Sequence, residues 1–239
     1  MTVTSNGWRE RLQSRPLLAG HPVAFRVPLA LWLLGGVLFI ALAVPASRGV
    51  VQGVDDVVYR LAVDLEFSTA ERAALALDFL GSTWVTFPVM VSVGVYLAWR
   101  KRWEGLVYWI VAMALSQVLI GPVKGWYARP RPPLPLVETT SYSFPSGHAV
   151  AGAAIAIALV IVLVPAGPKR RNLEMLAAAF AVIMGLSRVY LRAHWLSDVV
   201  AGVSLGAAVA IGTAVGMHYF VERRSHRMPD GSDQSDPTS

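Results

Sequence analysis

Residues 145–168 read PSGHAVAGAAIAIALVIVLVPAGP, and the part from Ala149 to Pro168 contains no charged side chain. An α-helix needs about 20 predominantly apolar residues to cross the hydrocarbon core of a bilayer. The run has that length, so it predicts a transmembrane helix. A short polar stretch, Ser146 to His148, stands immediately before it.

Charge-free runs of similar length recur along the chain. The other clear ones are Val27–Ala46, Phe79–Trp99, Gly105–Val123 and Val199–Val221. A weaker run, from Met175 to Ser187, reaches spanning length if it extends from about Leu173 to about Arg192. We therefore predict an all-α fold, a bundle of six transmembrane helices that occupies residues 27–221.

The composition supports a membrane protein. Of the 239 residues, 55% are hydrophobic and only 15% are charged, whereas a soluble domain of this size needs a more charged surface. The absence of cysteine excludes disulfides, thiolate metal sites and a cysteine nucleophile. The net charge of +6 would indicate nucleic-acid binding in a soluble protein, but here the cations flank apolar runs, and we expect no nucleic-acid partner.

The basic residues predict the orientation, since lysine and arginine accumulate on the cytoplasmic side. With six spans, four basic clusters fall on one side of the membrane; with five spans they would fall on both. The basic N-terminal segment 1–26 and the polar tail 222–239 are then cytoplasmic, and the tail is expected to be disordered. The clusters are Arg9, Arg11, Arg15 and Arg26; Arg100, Lys101 and Arg102; Lys169, Arg170 and Arg171; and Arg223, Arg224 and Arg227.

The first segment on the opposite side, residues 47–78, carries three arginines and six acids. Its apolar residues have helical spacing, and Ser68 with Glu71 resembles a capping box before a second helix, Ala70–Leu80. We interpret the segment as short amphipathic helices on the outer membrane surface; a helical loop packed on the bundle is the alternative. The spaced residues are Val54, Val57, Val58, Leu61 and Leu65.

Glycines four residues apart occur twice in the last run, at Gly202 and Gly206 and at Gly212 and Gly216. This spacing is typical of membrane helices that approach each other closely. The chain is rich in alanine and glycine throughout, however. We favour this general composition as the explanation.

The remaining outer segments bring cations and histidines to one side of the membrane. Lys124, Arg129 and Arg131 belong to the stretch 124–146, whose five prolines favour extended structure. Converging cations bind a dense anion such as phosphate, and the arginine fork matches two phosphate oxygens. Ser146 and Gly147 stand at a predicted helix N-terminus, where free N–H groups also favour an anion.

His194 and Asp198 are four residues apart at the predicted start of the last helix, so we expect them to share a face. A carboxylate in that position holds one ring nitrogen and leaves the other to act as a nucleophile or base. His148, on another helix, is placed to serve as the acid for a leaving alkoxide.

Three segments carry a resemblance to a known family. Residues 124–132, KGWYARPRP, residues 145–148, PSGH, and residues 187–198, SRVYLRAHWLSD, resemble the K-x6-R-P, P-S-G-H and S-R-x5-H-x3-D motifs of the type 2 phosphatidic acid phosphatase superfamily. That superfamily also includes the vanadium haloperoxidases. The motifs occur in the family's order and extend over roughly the second to the sixth predicted span.

The resemblance implies a role for each motif residue. Arg129 and Arg192 lie outside the motif positions, and we interpret them as supporting or lipid-headgroup contacts. The implied nucleophile is His194, oriented by Asp198, the general acid is His148, and the phosphate-binding residues are Lys124, Arg131, Ser146, Gly147 and Arg188.

The implied function is hydrolysis of a lipid phosphomonoester or isoprenoid diphosphate through a phosphohistidine, at the extracytoplasmic face and without a metal or cofactor. Phosphatidic acid, phosphatidylglycerol phosphate and undecaprenyl diphosphate all fit, because the motifs contact the phosphate and not the tail. The vanadium haloperoxidases are soluble enzymes, so six apolar runs argue against that function. A binding or transport protein that retains the fold without catalysis is the remaining alternative. The sequence leaves the oligomeric state open.

Overall fold

The computed structural model describes residues 23–65, 67–165 and 167–225, and within these ranges it contains helices and connecting loops but no strand. The prediction of an all-α fold is confirmed. Most of the N-terminal segment and the tail beyond Ser225, predicted to be cytoplasmic, lie outside the described residues. The helices are α1 (Val23–Ala43), α2 (Pro45–Asp64), α3 (Ser68–Gly81), α4 (Thr83–Trp99), α5 (Trp103–Tyr127), α6 (Gly147–Leu163), α7 (Pro168–Tyr190) and α8 (Leu196–Ser225).

Four of the described helices are long and apolar enough to cross a membrane: α1, α5, α7 and α8. Helices α3 and α4 together add a fifth candidate, bent by 46° between them. Helix α6 is apolar but has only 17 residues. The chain is thus a multi-pass membrane protein with four or five spans by length and composition, and the sixth span stays a prediction.

The predicted second span, Phe79–Trp99, is not one continuous helix. Helix α3 ends at Gly81, Ser82 is extended with φ −69° and ψ 158°, and α4 begins at Thr83. A Cβ on Gly81 would lie 2.5 Å from Cδ2 of His148, so the chain approaches α6 closely at the break. Apolar composition alone does not register such a break, because both helices are rich in apolar residues.

Two further boundaries differ from the sequence prediction. The apolar run was predicted to extend from Ala149 to Pro168, but its helix, α6, ends at Leu163. Pro168 is instead the first residue of α7, where the fixed φ of proline suits the first turn. Helix α7 is therefore longer than the weak run indicated, and Arg170 in its first turns pairs with Glu174 at 2.7 Å between Nε and Oε1. Lys124, assigned to the proline-rich stretch, lies in the last turn of α5.

Helix α6 is the centre of the bundle and packs against α5, α7 and α8. Most of its residues are buried, which explains why it is apolar all round. A Cβ on Gly206 would lie 2.3 Å from the Val150 carbonyl oxygen, and one on Gly202 would lie 2.8 Å from the Ser146 carbonyl oxygen. The spacing of these two glycines therefore does serve close packing, and general composition is the wrong explanation for them.

The second glycine pair behaves differently. A Cβ on Gly212 would come no closer than 3.9 Å to another group, and one on Gly216 would meet nothing within 4 Å. Only the first pair lies at the contact with α6, which begins at the polar stretch Ser146–His148.

The segment after α1 forms two helices, α2 and α3, but no capping box. Phe67 is the N-cap of α3, and no side chain caps that end. Helix α2 turns its polar side toward the bundle, with Asp55 buried, while Val54 and Leu61 are more than half exposed. Helix α2 thus packs on the bundle and also has an outward apolar face. Its location on the outer membrane surface stays a prediction.

Candidate active site

The residues with predicted chemical roles lie on different elements that end close together. Lys124 is in the last turn of α5, and Arg188 is in the last turn of α7. Ser146 is the N-cap of α6, which begins with Gly147 and His148. Asp198 is in the first turn of α8. Arg131 and His194 lie in the loops that precede α6 and α8.

The loop between α5 and α6, residues 128–146, is fixed by contacts with the turn between α7 and α8. The Leu136 N–H donates to the Leu191 carbonyl at 3.0 Å, and the Ser146 N–H donates to the Asp198 carbonyl at 3.1 Å. The Trp195 indole N–H donates to the Pro130 carbonyl at 2.9 Å. These bonds hold the motif-bearing segments against each other.

The guanidinium of Arg131 is held by two backbone carbonyls and contacts His194. Its Nε donates to the Ser141 carbonyl and its Nη1 to the Ala193 carbonyl, each at 2.6 Å. The same Nη1 lies 3.2 Å from Nε2 of His194. Burial, and secondly the positive charge of Arg188, lower the pKa of Arg131. The two guanidinium groups are therefore close enough to repel, and an anion between them would relieve that repulsion.

Lys124 adds a third cation. Its Nζ donates to the Tyr142 carbonyl at 2.6 Å, and Arg131 also reaches that carbonyl, at 3.4 Å from Nη2. The side chains of Lys124 and Arg131 thus both bond to the backbone of the same loop segment, residues 141 and 142. The positive charges of Lys124 and Arg131 both act on His194.

His194 is only 3% exposed. Burial, partly offset by the carboxylate of Asp198, lowers the pKa of His194 to about 4, so the ring is neutral near pH 7. Because an arginine nitrogen only donates, Nε2 of the neutral ring is the acceptor in the contact with Arg131, and Nδ1 carries the proton. The lone pair of Nε2 then points toward the guanidinium of Arg131.

The prediction that His194 and Asp198 share a helix face is wrong in its geometry. His194 precedes α8, and the contact is made through the turn. Nδ1 lies 3.6 Å from Oδ2 of Asp198 and 3.5 Å from Oγ of Ser143, which is longer than a formed hydrogen bond. Oδ2 also accepts hydrogen bonds from the Ser143 hydroxyl and, at 3.0 Å, from the Trp195 N–H.

Arg129, which lies outside the motif positions, holds Asp198 from behind. Its Nη1 donates to Oδ1 of Asp198 at 2.5 Å and to Oγ of Ser197 at 2.7 Å. Its Nη2 donates to Oδ2 of Asp55 at 2.7 Å and to Oε1 of Gln52 at 2.8 Å. Asp55 also accepts from the Ser197 N–H and hydroxyl. Arg129 is therefore a buried link between Asp55 of α2 and Asp198.

His148 and Arg188 share one carboxylate, that of Asp78 near the end of α3. Arg188 Nη1 donates to Oδ1 of Asp78, and Nε2 of His148 lies 3.2 Å from the same oxygen. Nε2 is also 3.3 Å from the Asp78 carbonyl oxygen. Neither Asp78 nor Asp55 was predicted from the sequence as a site residue. The available signal was weak: Gln52, Asp55 and Tyr59 have helical spacing, but α2 also carries other polar and charged residues, among them Arg48, Asp56, Arg60 and Asp64.

Two buried polar atoms of the site, Oγ of Ser146 and Nε of Arg188, have no hydrogen-bond partner in the described part of the chain. Such groups are costly to leave unpaired unless a ligand completes them. A Cβ on Gly147 would meet nothing within 4 Å, so space is open at the N-terminus of α6. The unpaired donors, the helix N-terminus and the three cations together suit a tetrahedral oxyanion.

Two other features bear on the predicted site. Arg192, the second cation outside the motifs, is buried in the turn between α7 and α8 with φ 54°. Across residues 23–65, 67–165 and 167–225, no three histidine or acidic side chains are grouped as metal ligands.

Comparison with known proteins gives a consistent result. Residues 105–222 match the family model described as the PAP2 superfamily. The chain is 31% identical over 185 residues to phosphatidylglycerophosphatase B of Bacillus subtilis (strain 168), which covers 75% of this chain and 89% of the relative. It is 30% identical over 153 residues to an undecaprenyl-diphosphatase of Sulfolobus acidocaldarius, covering 61% of this chain and 69% of that relative.

Two solved structures are similar in fold. The crystal structure of a transmembrane PAP2 type phosphatidylglycerolphosphate phosphatase from Bacillus subtilis aligns with a TM-score of 0.66 and 29% identity, over 86% of this chain and 98% of that chain. Aquifex aeolicus LpxE aligns with a TM-score of 0.53 and 24% identity, over 65% of this chain and 91% of that chain, and supports the fold alone.

Proposed function

The chain belongs to the PAP2 superfamily, and from this premise we propose that it is a membrane phosphatase that hydrolyses a lipid phosphomonoester or an isoprenoid diphosphate. The observation that carries the proposal is the contact between Arg131 and His194, with 3.2 Å between Nη1 and Nε2. This contact supports the proposal because a neutral ring nitrogen with a free lone pair in reach of phosphorus is what a histidine nucleophile needs, and an arginine is a common ligand of phosphate. A phosphoryl group held by Arg131 would therefore meet Nε2 of His194.

In the proposed mechanism the terminal phosphoryl group binds to Lys124, Arg131 and Arg188 and to the N-terminus of α6. Nε2 of His194 attacks phosphorus as the bond to the leaving oxygen breaks, and a phosphohistidine forms. His148 gives its proton to the leaving oxygen. The cations stabilise the charge on the equatorial oxygens, as expected for phosphoryl transfer.

The second step reverses the proton transfer. His148 takes a proton from water, the water oxygen attacks phosphorus, and the bond from phosphorus to Nε2 breaks. Inorganic phosphate leaves, and His194 returns to its neutral form. Asp198 stabilises the positively charged ring of the intermediate through the Nδ1 proton, since its Oδ2 lies on that side of the ring.

We propose a topology of six spans, in which α3 with α4 forms one bent span and α6 is a short one. The basic clusters on one side support cytoplasmic termini. The site, at the opposite ends of α5 and α7, then opens at the extracytoplasmic face. There a lipid reaches it from the outer leaflet, with the tail still in the bilayer.

An apolar cavity supports a lipid as the substrate. It has a volume of about 160 Å³ and lies between α1, α5 and α8. Its lining includes Val123, which precedes Lys124, and Pro145, which precedes Ser146. A hydrocarbon chain in this cavity would therefore lie next to residues that bind the phosphate.

The test is phosphate release by the purified protein from phosphatidic acid, phosphatidylglycerol phosphate and undecaprenyl diphosphate, each in the same detergent. We expect turnover of at least one lipid, unchanged by EDTA, and none by His194→Ala. Turnover that EDTA abolishes and Mg²⁺ restores would contradict the mechanism. Binding of the lipids without turnover would instead favour a binding or transport protein that keeps the fold.

A further inference from the structure

Asp78 lies near the end of α3, outside the three motif segments, yet it contacts both Arg188 and His148 of the site. Its Oδ1 accepts a hydrogen bond from Nη1 of Arg188 and lies 3.2 Å from Nε2 of His148. Its backbone carbonyl oxygen is 3.3 Å from the same Nε2. One residue of α3 thus contacts one side chain of α6 and one of α7.

The contact with Arg188 leaves a specific edge of the guanidinium for a ligand. Asp78 holds Nη1, whereas Nε is buried and has no hydrogen-bond partner in the described ranges. In the planar guanidinium the Nε and Nη2 hydrogens point to the same side, away from the nitrogen that Asp78 holds. That free edge offers the two parallel donors that a phosphate group accepts.

The contact with His148 determines which nitrogen carries a proton. Nε2 faces two acceptors of Asp78, its carboxylate and its carbonyl, so Nε2 is protonated in the neutral ring. Donation from the other nitrogen, Nδ1, requires the imidazolium form. Burial of the ring and the charge of Arg188 oppose that form, and the carboxylate of Asp78 is the group beside the ring that favours it.

Helix α3 also fixes the plane of the ring. A Cβ on Gly81, one turn after Asp78, would lie 2.5 Å from Cδ2 of His148 and 3.1 Å from Sδ of Met184. Gly81 and Asp78 share one face of α3, because residues three apart are neighbours on a helix. At the end of α3, Gly81 therefore packs against the imidazole of His148, and Asp78 pairs with its Nε2.

We propose that Asp78 is a positioning residue of the phosphoryl-transfer site: it supports His148 as the acid for the leaving oxygen and turns the free edge of Arg188 toward the phosphate. This inference rests on the proposed function. Asp78 acts on the leaving-group side, whereas Asp198 acts on the nucleophile side. The alternative is that Asp78 forms an ion pair that only fastens α3 to α7. The two roles of Asp78 predict different effects of the leaving group on the rate that a variant loses.

The test compares octyl phosphate with 4-octylphenyl phosphate, which have similar tails but an alkoxide and a phenoxide as leaving groups. The phenoxide needs little help from an acid, so it reports on the phosphate site without strong dependence on His148. For Asp78→Asn we expect kcat/KM to fall about 100-fold with octyl phosphate, the lower part of the range for general acid catalysis. With 4-octylphenyl phosphate we expect a loss of less than about tenfold, which reflects Arg188 alone.

Four further variants complete the design. Asp78→Glu keeps the carboxylate and should recover part of the activity with octyl phosphate; it also carries the comparison if Asp78→Asn does not fold. Glu71→Gln changes another acid of α3, in its first turn, and should leave both rates at the wild-type level. A His148→Asn variant should show the same leaving-group dependence as Asp78→Asn, and the double variant should be little worse than His148→Asn.

Equal losses on both substrates in folded Asp78→Asn would overturn the inference, because Asp78 would then act through Arg188 alone and not through His148. Unchanged rates on both would also overturn it and would leave an ion pair that only fastens α3 to α7. A failure of the proposed function is distinct, since the wild-type protein would then release no phosphate from these esters or from the lipids.

Discussion

Asp55 of α2 and Arg129 of the loop after α5 form a buried ion pair, with 2.7 Å between Oδ2 and Nη2. The other guanidinium nitrogen of Arg129 donates to Asp198, which lies beside His194. A chain of three charged groups thus leads from a helix outside the motifs to the proposed nucleophile. Breaking a buried pair leaves one charge without compensation, so the geometry of Asp198 depends on Asp55.

We expect Arg129→Lys to lower kcat by about 10- to 100-fold, because lysine cannot bond to Asp55 and Asp198 with two nitrogens of a fixed fork. Asp55→Asn should act in the same direction, and the double variant should be far from additive. The measurement is steady-state phosphate release at saturating lipid. Arg60→Lys, an exposed arginine of α2, is the matched control and should retain wild-type turnover. Additive losses in the double variant would show that Asp55 and Arg129 do not act as a unit.

The nucleophile assignment predicts a covalent intermediate. Wild-type protein mixed with ³²P-labelled substrate and quenched in alkali should carry label on His194, because phosphohistidine survives alkali better than acid. His194→Ala should bind no label and lose turnover by at least about 10⁴-fold, as expected when a covalent nucleophile is removed. Asp198→Asn should still form the intermediate, at a reduced rate. Label on another residue, or near-normal turnover by His194→Ala, would contradict the assignment.

The pKa of His194 gives a stability prediction. In the unfolded chain the ring takes up a proton near pH 6.5, whereas burial lowers the pKa to about 4 in the folded protein. Between these values the unfolded state binds more protons, so the free energy of unfolding should fall as the pH decreases from about 6.5 to about 4, by up to about 3 kcal/mol.

Thermal unfolding in detergent, without phosphate in the buffer, measures this effect. His194→Gln removes the titrating ring and should flatten the pH dependence between 4 and 6.5 relative to the wild type. The groups that face the ring are Asp198, Arg131 and Lys124, and they are retained in both proteins. Parallel pH profiles of the two proteins would show that His194 is not the group responsible.

The contact between α6 and α8 predicts opposite effects for two glycines of the same helix. Gly206→Ala would place a Cβ 2.3 Å from the Val150 carbonyl oxygen, and we expect a loss of about 1–3 kcal/mol in the free energy of unfolding. Gly216→Ala meets nothing within 4 Å and should leave stability unchanged or raise it by up to about 1 kcal/mol. Unfolding in detergent with increasing denaturant measures both. Equal effects of the two substitutions would contradict the close packing at Gly206.

The fold was predictable from the sequence to the extent that apolar length defines it. The runs at Gly105–Val123 and Val199–Val221 correspond to α5 and α8. The break at Ser82 was missed, although the predicted helix Ala70–Leu80 ends beside it, because the charge-free run from Phe79 to Trp99 continues across it. Gly81, which lies at this break, approaches His148 closely. The end of α6 at Leu163 was also missed, because the predicted run was defined by the absence of charge alone; Pro165, Gly167 and Pro168, which follow it, are residues that commonly end a helix.

Of the candidate site, the sequence indicated the residues with local signals. The motif spacing groups them, and they fall on the side of the predicted membrane opposite to the four basic clusters: Lys124, Arg131, His148, Arg188 and His194. Asp78 and Asp55 carry no such signal, because their partners lie far along the chain: Arg188 is 110 residues from Asp78, and Ser197 is 142 residues from Asp55. Acids in a connecting segment resemble ordinary surface residues until the fold buries them.

By itself the sequence determined that the chain is helical and apolar enough to cross a membrane several times, and it indicated which histidines and cations form the candidate site. Both properties are local, since they depend on composition over about 20 residues or on fixed spacing within a motif. Only the tertiary structure decided which carboxylate pairs with which cation, and that the two histidines have separate acidic partners, Asp78 and Asp198. These pairings depend on how α2 and α3 pack against α6, α7 and α8, where buried charges must find partners from distant parts of the chain.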